Sequence, residues 1–123
     1  MIPPLPTKLY RGVALGSPHH REAVNKGSCT PQGNGSGHSN MLWHSGGRTD
    51  DSNFTSWTEV ESVAWGYARS HANGGVVLEI DFASRVARDN DYRHIGERLG
   101  EAEYLIEGII RSGVRVRRAT QLK

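Results

Sequence analysis

The chain has 123 residues, a formal charge of +2 and one cysteine, which fits a single domain with one modest core. The near-neutral charge singles out no partner, Cys29 alone excludes an internal disulfide, and no Cys/His cluster has zinc-ligand spacing. No apolar run approaches the roughly 20 residues of a membrane span, and the first residues lack the charged and apolar regions of a signal peptide.

The chain begins with a proline-rich segment, which predicts an extended linker over residues 1–7 and one domain over residues 8–123. Residues 8–13 are the first strand candidate and carry Arg11 in their middle. An arginine in a strand is usually an outward-facing charge, and the alternative is an anion-holding fork in a cleft. Gly12 after it would let a ligand approach the backbone closely.

Ser17 and Pro18 predict the start of a helix, because serine caps helices and proline favours the first helical position. The helix is expected to stop at Gly27. His19 and His20 lie in its first turns, and adjacent histidines do not share a helix face. They are therefore interpreted as surface residues, not as a metal site.

Residues 30–53 are dominated by Gly, Ser, Asn, Asp and His and cannot bury enough apolar area to form an element of their own. A loop this long in a small domain is typically functional or disordered. Trp43, in its only apolar cluster, either pins the loop to the body or stacks on a flat ligand. Pinning is favoured, because buried aromatics most often serve packing.

The segment Phe54–Thr58 is a strand by composition. Its alternation places Ser56 and Thr58 on one face, where their hydroxyls could line a cleft, and Trp57 on the core face. Thr58 is also a candidate N-cap of the next helix, with Glu61 completing a capping box. That helix has an apolar stripe at helical spacing: Val60, Val63, Ala64, Tyr67 and Ala68.

Residues 76–82 form the clearest strand, with alternate apolar residues on one face. Glu79 and Asp81 lie on the other face and are interpreted as solvated. The polar stretch that follows predicts one helical turn around residues 93–99.

The last third contains a pair of carboxylates, Glu101 and Glu103, at the start of an apolar β-type segment. Spaced i, i+2 on an extended chain, they point to the same face. Taken alone, such a pair is usually a solvated strand edge. The chain then closes with an alternating edge strand and a basic set of residues, Arg115, Arg117, Arg118 and Lys123. This basic edge either meets phosphates or prevents pairing with other chains, and the second is favoured.

Four segments taken in order change the interpretation of this carboxylate pair. Leu-Tyr-Arg-Gly, Phe-Thr-Ser-Trp-Thr, Val-Val-Leu-Glu-Ile-Asp and Glu-Ala-Glu-Tyr-Leu-Ile together resemble the mono-ADP-ribosyltransferases of the Arg-Ser-Glu type. The resemblance runs from residue 9 to about residue 116, and is closest to the toxin domains at the C-termini of bacterial polymorphic and Rhs-type secreted proteins. It implies an α+β fold in which two small antiparallel sheets with flanking helices hold NAD⁺ in a cleft.

The resemblance implies NAD⁺-binding roles for residues of the first two strands. Arg11 matches the arginine that braces the phosphate and ribose side of NAD⁺, a task that suits a guanidinium. Gly12 matches the position whose backbone binds the nicotinamide amide. Ser56 matches the first serine of a Ser-Thr-Ser motif, which orients the catalytic glutamate. Trp57 departs from the middle of that motif, and Thr58 stands in its third position.

The resemblance implies catalytic roles for the two glutamates. Glu103 matches the carboxylate that stabilises positive charge on the ribose as nicotinamide leaves. Glu101 matches the acidic residue that contacts the incoming nucleophile and goes with arginine acceptors. The aromatic residue that stacks on nicotinamide is either Trp43 or Tyr67.

The function implied is a secreted toxin that uses NAD⁺ as co-substrate, without a metal, inside a competitor bacterium, for example after type VI secretion. Its partners would be a macromolecular acceptor and a cognate immunity protein that blocks the cleft. No membrane is implied as a partner. Glu101 favours protein arginine as acceptor, and RNA stays open. Two other functions also stay open: an NAD⁺ glycohydrolase, and a non-catalytic basic nucleic-acid-binding module. Residues 30–53 are expected to order when NAD⁺ or a partner binds.

Overall fold

A computed structural model of the chain describes residues 5–33, 52–96 and 103–117. The strands of this part are β1 (Lys8–Ala14), β2 (Phe54–Thr58), β3 (Gly75–Asp81), β4 (Tyr92–Gly96), β5 (Glu103–Glu107) and β6 (Arg115–Arg117). The helices are α1 (Pro18–Lys26), α2 (Glu61–Arg69) and the short α3 (Ala87–Asp89), which continues a π-helical turn at Phe82–Val86. The class is α+β, as predicted.

The six strands form one antiparallel sheet in the order β4-β5-β2-β1-β3-β6. The expectation of two separate sheets is therefore wrong, because one residue pair, Tyr10 with Thr58, joins β1 to β2. Pairing on either side of this junction is continuous, with β1 on β3 from Lys8 to Ala14 and β2 on β5 along its whole length. The sheet thus has two three-stranded halves that meet at a narrow junction.

The larger core lies on the face of the sheet that carries the alternate apolar residues of β3, as the sequence pattern predicted. Trp57 of β2 belongs to this core and is 1% exposed, and its indole Nε1 donates to Thr55 Oγ1 at 2.8 Å. The predicted inward orientation of Trp57 is thereby confirmed. The core also contains Leu9, Val13, Ala23, Cys29, Tyr104, Ile106, Ile110 and Val114.

Helix α2 covers the opposite face and packs on Val77. Its buried residues are Ala64, Trp65 and Ala68. The predicted stripe was right for the two alanines but wrong for Tyr67, which is 51% exposed. Apolar residues lie on both sides of the row formed by Ala64 and Ala68. Trp65 is buried in preference to Tyr67 because it has the larger apolar surface to bury.

The start of α2 also differs from the prediction. Thr58 belongs to β2, the helix begins at Glu61, and Val60 occupies the N-cap without a side-chain hydrogen bond. The predicted capping box is therefore wrong. Thr58 Oγ1 instead accepts from the Val60 N–H at 3.1 Å, which holds the turn between strand and helix.

Two glycines bring α2 close to the sheet. A Cβ atom on Gly12 would lie 2.2 Å from the Ala64 carbonyl oxygen, and one on Gly75 would lie 2.3 Å from the Ala68 carbonyl oxygen. Neither distance is possible for a real Cβ. The missing side chains are what allow the helix backbone to rest on β1 and β3.

Helix α1 begins and ends where the sequence predicted. Ser17 Oγ accepts from the His20 N–H at 3.3 Å, and Gly27 closes the helix in the left-handed conformation with φ of 63°. The surface interpretation of the two histidines is wrong. His20 is buried and its Nδ1 accepts from the Gly16 N–H at 2.8 Å, while His19 contacts Arg11.

Strand β4 lies where a helical turn was expected at residues 93–96, and residues 97–99 lie outside the described part. The strand pairs with β5 at the edge of the sheet. Tyr92 packs edge-on against Phe82, with ring centroids 5.0 Å apart, and the His94 ring stacks on Tyr104 at 4.4 Å. An edge strand tolerates polar residues on its outer face, and these aromatic contacts hold it in place.

The described residues on either side of the long polar segment lie close together. The Gly33 N–H donates to the Ser52 carbonyl at 2.8 Å, and Cys29 pairs with Ile110 as an isolated bridge. Residues 34–51, with Trp43, lie outside the described part. At the N-terminal end, the Thr7 carbonyl accepts from the Phe82 N–H at 2.8 Å.

Candidate functional site

A cleft of about 230 Å³ opens beside the junction of β1 and β2. Five of the six residues selected from the sequence line it: Arg11, Gly12, Ser56, Thr58 and Glu103. The sixth, Glu101, lies outside the described residues. The far wall is α2, which contributes Val63, Ala64 and Tyr67. Residues of β1, β2 and β5, which are distant in sequence, thus meet in one cavity with residues of α2.

Arg11 crosses the cleft from β1 to β2. Its Nη1 donates to the Ser56 carbonyl oxygen at 2.9 Å, and its Nη2 lies 3.2 Å from His19 Nδ1. Its Nε is buried without a hydrogen-bond partner among the described residues. Burial lowers the pKa of the guanidinium, while Cys29 and Glu103 act in the opposite direction. A guanidinium whose Nε is buried and lacks a partner within the described residues is suited to receive an anion.

Glu103 is half-buried at the start of β5, directly opposite Thr58 in the neighbouring strand. Its carboxylate acts electrostatically on Arg11. The strand pairing therefore brings a carboxylate and a guanidinium into the same cleft, and within the described part of the chain no salt bridge joins the two. Such a pair of opposite charges can act on two parts of one polar ligand.

The hydroxyl residues of β2 occupy different environments. Ser56 is half-buried, and its main-chain carbonyl is the atom that holds Arg11. Thr58 is buried, and its Oγ1 already accepts from the Val60 N–H. Ser56 is thus the more accessible of the two hydroxyl residues toward a ligand in the cleft.

Two tyrosines line the cleft in addition to the selected residues. Tyr67 is half-exposed on α2 and lines the cleft, so it stays one of the two candidates for stacking on a flat ring. Tyr10 was missed by the sequence reasoning; burial raises its phenol pKa, and the nearby Glu61 and Glu79 raise it further. The signal for Tyr10 was its place beside Arg11 on the same strand, on the face opposite the core residue Leu9.

A second cavity, of about 380 Å³, adjoins the first and shares Arg11 and Gly12 with it. Its other polar lining residues are Ser17, His19, Gln32 and His71. Sequence reasoning missed this cavity. The first turn of α1 was predicted, but its packing against β1 depends on contacts that are distant in sequence.

The basic edge of the sheet is occupied by ion pairs. Glu79 is only 5% exposed and accepts from Lys8 at 3.3 Å and from Arg117 at 2.8 Å, with Arg115 Nε donating at 3.0 Å. The interpretation of Glu79 as solvated is wrong, because β6 folds back and covers it with arginines. Burial would raise the pKa of Glu79, but hydrogen bonds from Arg115, Arg117 and Lys8 bring it below its ordinary value.

Asp81, in contrast, remains partly exposed and binds Arg115 through both carboxylate oxygens. Arg115 and Arg117 are thus committed to carboxylates within the fold, which removes them as free phosphate contacts. Arg118 and Lys123 lie outside the described residues.

No family model, curated protein or solved structure matches this chain. None of the helices in the described part has the length and apolarity needed to cross a membrane. Within the same residues, no group of three or more His, Cys, Asp and Glu side chains could hold a metal ion.

Proposed function

We propose that this chain is an NAD⁺-dependent mono-ADP-ribosyltransferase domain with an ADP-ribosyltransferase-like fold. The observation that supports it is the convergence of Arg11, Gly12, Ser56, Thr58 and Glu103 on one cleft. These five residues belong to short sequence motifs of β1, β2 and β5, which are distant from one another in the chain. A cleft between two groups of three strands is similar to the layout that the resemblance implies, although one residue pair joins the two groups into a single sheet here.

The substrate suits the cavities and their charges. The first cavity, with Tyr67, Ser56 and Glu103, offers a flat aromatic ring and hydrogen-bonding groups to nicotinamide and its ribose. The adjoining cavity begins at Arg11, whose charge and unpartnered buried Nε suit the diphosphate. A dinucleotide would therefore lie across Arg11, with its nicotinamide end towards β5.

Glu103 would act on the ribose of bound NAD⁺. When the bond from the ribose to nicotinamide breaks, positive charge develops on the sugar, and a fixed carboxylate stabilises it. Ser56 would orient that carboxylate, and Arg11 would keep the diphosphate in place. Removing one such electrostatic group typically lowers the rate about 100-fold or more.

The acceptor is proposed to be a macromolecule of a competitor bacterium, with protein arginine favoured by Glu101. Delivery as a secreted effector and protection of the producer by an immunity protein that covers the cleft belong to the same proposal. A nucleic-acid-binding module is less well supported, because Arg115 and Arg117 are bound to Glu79, Asp81 and Glu61.

The deciding experiment incubates the purified domain with labelled NAD⁺ and a bacterial lysate, alongside Glu103→Gln and Glu107→Gln. Glu107 ends the same strand and does not line the cleft, so its variant is the matched control. We expect label on a discrete protein, lost about 100-fold in Glu103→Gln and retained in Glu107→Gln.

Other outcomes of this experiment have defined meanings. Label in the RNA fraction would keep the chemistry and change the acceptor. Free ADP-ribose with no labelled macromolecule would indicate the glycohydrolase. Equal NAD⁺ consumption by the wild type and Glu103→Gln, or none by either, would refute the proposal.

A further inference from the structure

Helix α1 carries a histidine whose ring contacts the guanidinium of Arg11. His19 Nε2 lies 3.0 Å from the Thr30 carbonyl oxygen, and His19 Nδ1 lies 3.2 Å from Arg11 Nη2. A carbonyl oxygen only accepts, so Nε2 carries the proton and donates it. Arg11 only donates, so Nδ1 accepts through its lone pair. The two contacts together require a neutral imidazole with its proton on Nε2.

The Thr30 end of this chain of contacts is itself fixed. Glu22, one turn beyond His19 on α1, accepts from the Thr30 N–H at 3.0 Å, from Thr30 Oγ1 at 2.6 Å and from Ser28 Oγ at 2.6 Å. Burial opposes ionisation of Glu22, but these hydrogen bonds bring its pKa below the ordinary value. Helix α1 therefore supplies both His19 and the carboxylate of Glu22, which holds Thr30, the hydrogen-bond partner of His19.

The partners of Arg11 differ from those of the two arginines of β6. Arg115 and Arg117 are bound by carboxylates, which compensate their charge. Arg11 is bound by a main-chain carbonyl and an imidazole, both of them neutral. Its orientation is thus fixed while its positive charge stays available to a ligand.

We propose that His19 is a positioning residue that holds Arg11 ready for an anionic ligand only while its imidazole is neutral. The inference rests on the proposed function in one respect, namely that this ligand is the diphosphate of NAD⁺. Protonation would put an N–H where Nδ1 now accepts and bring two positive charges together. The contact with Arg11 would then break, and anion binding would weaken on acidification.

The charged and titratable groups around His19 come from three segments. Arg11 faces it from β1, Glu22 lies on its own helix, and His71 lines the same cavity from the segment that follows α2. Cys29, after α1, acts on Arg11. Burial first, and the charge of Arg11 second, lower the pKa of His19 against smaller opposing effects of Thr30 and Glu22.

The first test needs no NAD⁺. Long-range ¹H–¹⁵N spectra of the ¹⁵N-labelled domain report which ring nitrogen of His19 is protonated across a pH titration. We expect the Nε2–H form near neutral pH and a midpoint below the ordinary value of about 6.5, which Arg11→Gln should raise. A proton on Nδ1 near neutral pH, or a midpoint that Arg11→Gln leaves unchanged, would overturn the proposal.

The second test measures the dissociation constants of NAD⁺ and inorganic pyrophosphate by calorimetry on either side of that midpoint. We expect affinity to fall about tenfold when His19 is protonated, the scale of one hydrogen bond to a charged group. The glutamine in His19→Gln keeps a hydrogen-bond donor and an acceptor but does not titrate. This variant should therefore bind both anions well, and its affinity should lose the pH dependence. His94→Gln, an exposed histidine on β4, should retain the wild-type dependence.

The outcomes separate the two proposals. Pyrophosphate binding that weakens as His19 is protonated, without any NAD⁺ binding, would support the role of His19 and refute the proposed function. NAD⁺ binding that is equal on both sides of the midpoint, or a pH dependence that survives in His19→Gln, would support the function and overturn the role of His19. If neither anion binds at any pH, both proposals fail.

Discussion

Replacing Gly12 with alanine should destabilise the folded domain, independently of any role that Gly12 has in ligand binding. The added Cβ would lie 2.2 Å from the Ala64 carbonyl oxygen and 2.7 Å from the Ala68 nitrogen. Contacts below 3.0 Å essentially never occur for a real Cβ, so the helix backbone must retreat by at least about 0.8 Å, the difference between 3.0 and 2.2 Å. Backbone atoms cannot rotate aside as a flexible side chain would.

That displacement affects every residue that α2 packs against the sheet. Ala64, Trp65 and Ala68 would lose part of their contact with Val77. Overpacking typically costs about 1–3 kcal/mol, and a clash with main-chain atoms belongs at the upper end, so we expect a loss of about 3 kcal/mol. Because α2 also forms the far wall of the cleft, the proposed NAD⁺ turnover should fall with stability.

Gly66→Ala is the matched control. It makes the same substitution within α2, but at a position where the new Cβ would meet no heavy atom within 4 Å apart from its chain neighbours and the adjoining backbone of its own helix. An exposed helical glycine is less favourable than alanine by up to about 1 kcal/mol, so this variant should be slightly more stable. The two variants should therefore shift the free energy of unfolding in opposite directions.

Urea unfolding followed by tryptophan fluorescence measures both changes. We expect the midpoint of Gly12→Ala to fall by roughly 1 M or more, with an unchanged slope. An unchanged midpoint would refute the close approach of α2 to β1. Lost activity at wild-type stability would instead favour the role inferred from the resemblance, in which the backbone of Gly12 binds nicotinamide.

Two further predictions concern buried ionisable groups. Glu79→Gln should lower the free energy of unfolding by about 2 kcal/mol near neutral pH. This is less than the loss expected for a fully buried ion pair, because the arginine partners of Glu79 reach solvent. Asp81→Asn should lower the same free energy by under about 1 kcal/mol. The folded pKa of Glu79 is lowered, so its contribution is present above the unfolded pKa and is lost as pH falls through the folded value. The difference in free energy of unfolding between the wild type and Glu79→Gln, measured by urea unfolding, should therefore disappear in acid. A difference that does not change with pH would contradict the ion pairs around Glu79. For Cys29, burial raises the thiol pKa from 9.0 to about 11, so near pH 8 iodoacetamide should alkylate the folded chain at least about 100-fold more slowly than the urea-unfolded chain. Equal rates would show that the thiol is accessible.

Local patterns predicted the elements whose residues alternate clearly or carry caps. The alternation of β3 gave its core face, and Ser17 with Gly27 gave both ends of α1. The five cleft residues within the described part were selected from short motifs around β1, β2 and β5. Each of these signals is contained in a few consecutive residues.

Three of the errors share a different property, since each of them depended on what a distant segment places against a residue. Alternation put Glu79 on the face opposite the core, but it carried no information that β6 would cover that face with arginines. His19 looked like one of two exposed histidines until α1 packed against β1. The alanine row of α2 allowed either flank to be buried, and only contact with β3 selects Trp65.

The cleft itself follows from where β1 and β2 stop pairing. After Tyr10 and Thr58 the two strands no longer pair, so Arg11 and Ser56 are neighbours without a backbone ladder between them. The Arg11 side chain donates to the Ser56 carbonyl across this opening, where a continued ladder would use a backbone N–H. Continued pairing would have closed the sheet and left Arg11 no room. The same interruption that opens the cavity therefore also creates the acceptor that orients its guanidinium, and His19 completes that orientation from the other side.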